Sequence, residues 1–418
     1  MNRAAAVLKV LYRAPNLGRF ALISMLVCAG ACGAQERPRV AAVAWGKPIA
    51  PDKVSEAARF GILFTGLPSR KSGVQPYLDS LRAANPEIKL GAYTVLVEYW
   101  RSVAPNDTFK LPPFEAIEAN DWWVRDAAGR RMSWTSAYRT DLVNITEWAP
   151  TDRSGMRYPQ WLAQHVRSRF GDLKGLDYVF IDNFWYSPRP RNGSMDWQRT
   201  GTNQSNEDER IRGAYRKGLA GFVDALRSEL PGVKLIGNAD NDLDFPEFRG
   251  KLDGAYMECA IGKRWSPETR LGWVYMMATY RSLLKHTRSK GDVVLGACSE
   301  GGIDHRQLRY GLTSAMLEDG WFTYRADALD EPYFADEFAA PIGRPSEPPP
   351  STPTPSGAWV RLYSNGMVIV NPTDRDVKLP VGSNYRRMLG AQEPAVNNGR
   401  TDSAVVIPPR DGLLLLKK

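Results

Sequence analysis

Short apolar runs with little polar alternation recur along the chain, at residues 40–45, 60–65, 88–97, 176–181, 233–237, 254–257, 293–297 and 321–324. Runs of this length, rich in β-branched and aromatic residues, suit strands buried on both faces, as in a parallel α/β sheet. Between them, apolar positions three and four apart predict amphipathic helices at 74–84, 158–170, 211–230, 273–289 and 307–318, with Pro231-Gly232 and Asp319-Gly320 as stops. Strand and helix alternate, which argues for parallel βαβ units. Eight strands predict an α/β fold of the (β/α)8 TIM barrel type. The rival, a doubly wound open sheet, lacks the Gly-x-Gly-x-x-Gly turn expected after an early strand.

Two stretches break the alternation. The interval 101–152 has no clean period and holds Trp122-Trp123 before a glycine turn at Gly129, a pattern that predicts a small hairpin lying over the barrel mouth. The loop 187–207, rich in Arg, Asn, Gly and Ser, is a second candidate wall of the cleft, a mobile excursion being the equal alternative. Residues 341–356 are proline-rich and read as an extended linker. Short β patterns follow at 359–363, 366–370, 376–379, 404–407 and 412–416, with a hairpin signal at Ser364-Asn365-Gly366. The expected organisation is therefore a catalytic barrel over 32–340, the linker, and a small C-terminal antiparallel β domain over 357–418.

Residues 1–31 carry Arg3, Lys9, Arg13 and Arg19 without an acid, then an apolar stretch ending in small residues. That is the pattern of a signal peptide, too short to span a bilayer. Ala29-Gly30-Ala31-Cys32 also resembles a bacterial lipobox, although Ala29 stands where Leu is usual. Export is expected, either as a periplasmic or membrane-anchored lipoprotein with a lipid on Cys32, or as a simply cleaved secreted protein. Loss of the leader removes four positive charges, so the formal net charge falls from +9 to +5. The residual basicity suits an anionic polymer or a membrane surface, and no nucleic-acid motif is present. Cys259 and Cys298 fall in or beside core strands; an oxidising compartment would permit a disulfide, but they read as buried free thiols. With three scattered histidines they supply no metal-ligand spacing, so no metal or other cofactor is expected.

The chemistry lies at strand ends. In Leu176-Asp-Tyr-Val-Phe-Ile-Asp182-Asn183 an apolar run stops at an acid where the strand leaves the core, which in a barrel is where catalytic side chains project. A capping Asp is the alternative. Leu252-Asp-Gly-Ala-Tyr-Met-Glu258 ends the same way two strands later, so both carboxylates face the mouth. Such a pair is what glycoside hydrolysis requires, one acid as nucleophile or charge stabiliser and one as proton donor, with their separation deciding retention or inversion. Glu258 as a salt-bridged barrel residue is the alternative. Glu98, Asn238 with Asp240 and Asp242, Glu300, and Arg325 with Asp327 also stand at strand ends, and Glu300 rivals Glu258 as proton donor. Tyr93, Trp100, Trp185, Tyr256 and Trp265 are candidate sugar platforms, and Asn183 and Asn238 candidate hydroxyl ligands. A Gly-x-Ser-x-Gly elbow and a glycine-rich phosphate loop are both missing.

Taken in order, Ile88-Lys-Leu-Gly-Ala-Tyr93, Leu176 to Asn183, Gly232-Val-Lys-Leu-Ile-Gly-Asn238 and Leu252 to Glu258 resemble successive strand ends of TIM-barrel glycoside hydrolases. The resemblance is to hypothetical glycosyl hydrolase family 15 and, more distantly, to the endo-α-1,4-polygalactosaminidases of glycoside hydrolase family 114. It spans about residues 40 to 340, and the tail is similar to one found after many such barrels. It implies an enzyme acting on a polysaccharide, an exopolysaccharide or cell-envelope glycan, with Asp182 as nucleophile and Glu258 as acid/base. Asp182 is followed here by Asn-Phe-Trp where the distant relatives tend to have Asn-Val-Asp, so their substrate preference does not carry over. A noncatalytic carbohydrate-binding envelope scaffold on the same barrel is the other reading.

Overall fold

The computed structural model describes residues 36–239, 242–289 and 291–418. The leader, Cys32 and Asp240 lie outside them. Eight parallel strands, β1 (Ala41–Ala44), β2 (Ile62–Thr65), β3 (Lys89–Val95), β4 (Tyr178–Phe184), β5 (Lys234–Ala239), β6 (Gly254–Ile261), β7 (Val293–Ser299) and β8 (Trp321–Ala326), pair in chain order. A parallel bridge from Val40 to Phe322 closes the first strand onto the last. All eight expected strands are present, and so are the five expected helices, observed at Lys71–Ala84, Tyr158–Phe170, Glu209–Glu229, Trp273–His286 and His305–Met316.

Period-two alternation fills the barrel. Ala41, Ile62, Phe64, Tyr178, Phe180, Ile236, Tyr256, Val294 and Trp321 form an inner cluster, while their neighbours along each strand pack outward against the helices. Gly91 leaves room for this filling, since a Cβ there would stand 2.4 Å from the Phe64 ring. One alternation further up, the inward positions become Tyr93, Asp182, Asn238, Glu258 and Arg325. Thus the apolar plug ends and a polar layer begins at the carboxyl ends of the strands.

The interval 101–152 folds over the mouth as expected, with one addition. A helix at Leu111–Ala119 escaped the sequence reading, its pattern broken by Pro112-Pro113. Arg125 and Arg131 bridge across the Gly129 turn, and Thr140–Leu142 pairs antiparallel with Glu98–Trp100. Trp122 and Trp123 are fully buried, the Trp122 ring packing at a tilt against Tyr158 and Trp161, so they anchor the excursion rather than meet solvent.

After the proline-rich stretch, the strands Trp359–Tyr363, Gly366–Asn371, Asp411–Lys417 and Tyr385–Arg387 form an antiparallel sheet, and Val377–Pro380 pairs with Ala404–Ile407. Tyr363 pairs with Gly366 across the expected Ser364-Asn365 turn. The sheet packs on the helix His305–Met316, where buried Arg309 grips Asp411 with bonds of 3.0 and 2.9 Å.

Cys259 and Cys298 are joined in a disulfide, not free thiols. Regular alternation would carry Cys259 away from its neighbour. Instead β6 bulges between Met257 and Ile261, Cys259 takes a φ of 42°, and its Cα comes to 5.0 Å from that of Cys298 on β7. That separation is ordinary for a bridged pair.

Candidate active site

Both acid-bearing strands lose register at the acid. The β4–β5 ladder is interrupted between Ile181 and Phe184, and Asn183 adopts φ 56°, a left-handed conformation that Asn tolerates better than most residues. Bulges beside active sites re-aim side chains. Here they turn Asp182 and Glu258 into a cleft of about 1720 Å³ over the barrel mouth.

Asn238, at the end of β5, joins the two carboxylates. Its Nδ2 donates to Asp182 Oδ1 at 2.8 Å and to Glu258 Oε2 at 2.9 Å. Two oxygens sharing one nitrogen at those lengths lie at most about 5.7 Å apart, and about 5 Å apart for the trigonal angle between the two protons of an amide. Asp182 Oδ2 accepts from the Tyr93 hydroxyl at 2.5 Å, and Oδ1 also takes the Asn183 backbone N–H at 2.9 Å. Asn183 reaches the other way, its Nδ2 donating to Glu98 Oε1 at 2.7 Å. Glu98 is further held by Trp134 Nε1 at 2.7 Å and Thr140 Oγ1 at 2.5 Å, both from the excursion over the mouth.

Burial raises the pKa of all three acids. For Asp182, burial outweighs the hydrogen bonds from Tyr93, Asn238 and Asn183 that favour the charged form. Glu258 is raised by burial and then by the charge of Asp182, against Asn238, Arg325 and Lys263. Its side chain is 29% exposed and lines the cleft. The guanidinium of Arg325 stands 3.6 Å from Glu258 and 3.5 Å from Asp327, which Lys263 also holds. Burial likewise raises Glu98, and Tyr93 is driven well up by burial and Asp182, so its hydroxyl keeps its proton and donates.

A model of hypothetical glycosyl hydrolase family 15 matches residues 82–367, most of the chain and every residue just described at the centre of the cleft. The chain belongs to hypothetical glycosyl hydrolase family 15. It is accordingly a glycoside hydrolase on a (β/α)8 barrel. Among solved structures, it is similar to the glycoside hydrolase domain of PelA from Pseudomonas aeruginosa, at 16% identity and TM-score 0.42 over 70% of this chain and 96% of that one. An α-amylase from Lactobacillus plantarum matches at 9% identity and TM-score 0.47 over 92% and 100%. No curated protein matches the chain in sequence.

In this family member the candidate site residues singled out by sequence fall into four groups. Asp182, Asn183, Asn238, Glu258 and the Tyr93 hydroxyl form one bonded cluster. Trp100, Trp185 and Trp265 line the cleft around it, Trp185 edge-on to Trp134 and Trp265 54% exposed. Glu300 stands on the rim with a side chain 51% exposed and Arg264 at 3.8 Å, away from the bonded pair. Tyr256 is a correction: it is 2% exposed and wedged between Trp45 and Phe180 inside the barrel, so it offers no face to a sugar. Strand alternation puts it one inward layer beneath Glu258. Sequence reading missed Trp134 and Thr140, whose segment has no period to place them, and Trp45, an inward residue at the end of β1.

Proposed function

We propose that this hydrolase cleaves a polysaccharide after export, with Asp182 as nucleophile and Glu258 as general acid/base. The observation that carries the reading is the single amide of Asn238 shared by the two carboxylates. Their implied separation falls at the roughly 5–5.5 Å associated with retention of anomeric configuration. Three donors favour the charged form of Asp182, whereas Glu258 has one hydrogen-bond donor and the repulsion of Asp182, set against the charges of Arg325 and Lys263. Asp182 is thus the better anion and Glu258 the better proton store.

In the first step an Asp182 oxygen attacks the anomeric carbon, the glycosidic bond breaks, and Glu258 gives its proton to the departing oxygen. Water then enters; the Glu258 carboxylate takes its proton as the oxygen attacks the anomeric carbon, and Asp182 leaves unchanged. Tyr93 and Asn183 hold the nucleophile in line, which is worth much of the barrier in such a step. A cleft larger than the roughly 300–1,000 Å³ typical of small-ligand pockets favours cutting within a chain. Trp100, Trp185 and Trp265 are the sugar platforms in this reading. The disulfide supports an oxidising compartment, in keeping with a cleaved leader and a lipid on Cys32.

The test is release of new reducing ends from a panel of exopolysaccharides and cell-envelope glycans by the mature protein, beside Asp182→Asn and Glu258→Gln. Release by the wild type alone supports the assignment. Full release by both variants refutes it, and saturable binding without turnover anywhere on the panel returns the scaffold reading.

A further inference from the structure

The cleft distributes charge unevenly. Its acids sit on the floor, as Glu98, Asp182 and Glu258, or already face a cation, as Asp327 faces Lys263 and Arg325. Of the rim acids, Glu300 is 3.8 Å from Arg264 and Asp242 stands past the end of β5. The rim carries Arg139, Arg264 and Arg270, all exposed, and no acid of the described residues pairs with Arg139 or Arg270. Arg264 keeps 94% of its side chain open to water.

Two of these arginines are interleaved with apolar side chains on one rim segment after β6. Trp265, Leu271 and Tyr275 are 54, 59 and 49% exposed, and all three line the cleft. Exposing so much contiguous apolar surface marks a binding face. The mount beneath it is firm: buried Ser266 bonds the Cys259 carbonyl and the Lys263 N–H, and buried Glu268 takes Arg410 at 3.8 Å. The platform is therefore held ready by the fold, so little ordering is left for a ligand to supply.

Resting on the hydrolase reading above, we propose that the substrate is an acidic polysaccharide, and that Arg264, Trp265, Arg270 and Tyr275 form a subsite for its carboxylate-bearing sugars. A pyranose ring lies flat on an aromatic face, and a guanidinium fork matches a carboxylate in two hydrogen bonds. A basic chain, with formal net charge +5 once the four cations of the expected leader are removed from the +9 of the full sequence, adds long-range attraction for such a polymer. A polymer of cationic amino sugars would instead meet like charge at the rim.

The experiment measures binding and reducing-end release on a set of polyuronates, each beside its carboxyl-reduced neutral form, with a polyglucosamine as the cationic arm. The Arg264→Gln/Arg270→Gln double variant is compared with the corresponding lysine pair. The proposal expects the polyuronate to be preferred, with KM or Kd raised about tenfold or more by the glutamines, only partly restored by the lysines, which return the charge but not the fork, and with binding weakened by salt. Equal use of the neutral forms, or preference for the polyamine, with no effect of the glutamines, overturns the subsite and leaves glycoside hydrolysis standing. Polyuronate binding that depends on the arginines without turnover on any arm sustains the subsite and sinks the hydrolase reading. Neither binding nor turnover of any polyuronate overturns the subsite whatever the other arms do.

Discussion

The strands β4 and β6 each have an acid at both ends, and the two ends are built differently. At the amino end, Asp177 takes Arg82 at 2.7 Å and the Leu90 N–H, and Asp253 takes Arg227 at 3.0 Å, Arg288 at 3.3 Å and the Leu235 N–H. At the carboxyl end, Asp182 is bonded by a phenol, an amide and a backbone N–H, and Glu258 by an amide, with its nearest guanidinium at 3.6 Å. A carboxylate clamped by cations ties strands to helices. One held by neutral donors in a partly dry site keeps its proton within reach, which acid/base chemistry needs. An acid at each end of one strand is thus structural below and, in the function proposed above, poised for reaction at the top.

The largest effect expected from breaking this contrast is at the top. Asp182→Asn or Glu258→Gln lowers kcat by about a thousandfold or more while the fold survives, measured by turnover and thermal unfolding together. Asn238→Ala removes the nitrogen that sets the spacing of the pair, and costs about a hundredfold in kcat with a smaller change in KM. At the bottom the prediction reverses: Asp253→Ala leaves Arg227 and Arg288 without their partner and destabilises the protein by about 2–3 kcal/mol, discounted because both arginines reach water, yet kcat per folded molecule holds. Loss of kcat without loss of stability at Asp253 would break the comparison.

The smallest effect is on pH dependence. Asp182 and Glu258 bind protons more tightly folded than at their ordinary values of 3.8 and 4.5. The stability they confer is therefore full below those values and is lost as pH rises through the folded ones, opposite to a salt-bridged acid. Asp182→Asn and Glu258→Gln should flatten that decline in a pH series of unfolding curves, and leave each variant at least as stable as the wild type at neutral pH. In turnover, Glu258 sets the limb that falls as pH rises and Asp182 the limb that falls as pH drops, as a coupled pair.

The barrel was legible because its strands are apolar on both faces and end abruptly at polar residues; Phe180-Ile181-Asp182 and Tyr256-Met257-Glu258 announce both the core and its edge. Asn238 was visible as a polar strand end but not as the bridge between the acids, which depends on the register of β5 between its neighbours. Tyr256 was misread although alternation alone places it in the layer below Glu258. The Cys259–Cys298 pairing was beyond reach, since it follows from a bulge that breaks alternation, and so were Trp134 and Thr140, brought onto Glu98 by an excursion with no repeating pattern. Pattern reads regular strands well and says little where backbone irregularity or a long loop does the placing.

The central claim of the proposal is that Asp182 and Glu258, held about 5 Å apart by one amide, work on opposite sides of the glycosidic bond, Asp182 on the anomeric carbon and Glu258 on the departing oxygen. Proton NMR of the first product formed from a cleavable glycan, recorded before mutarotation, tests it most directly. The account predicts that the new reducing end has the anomeric configuration of the bond that was cut. An inverted product would mean that water, not Asp182, makes the attack.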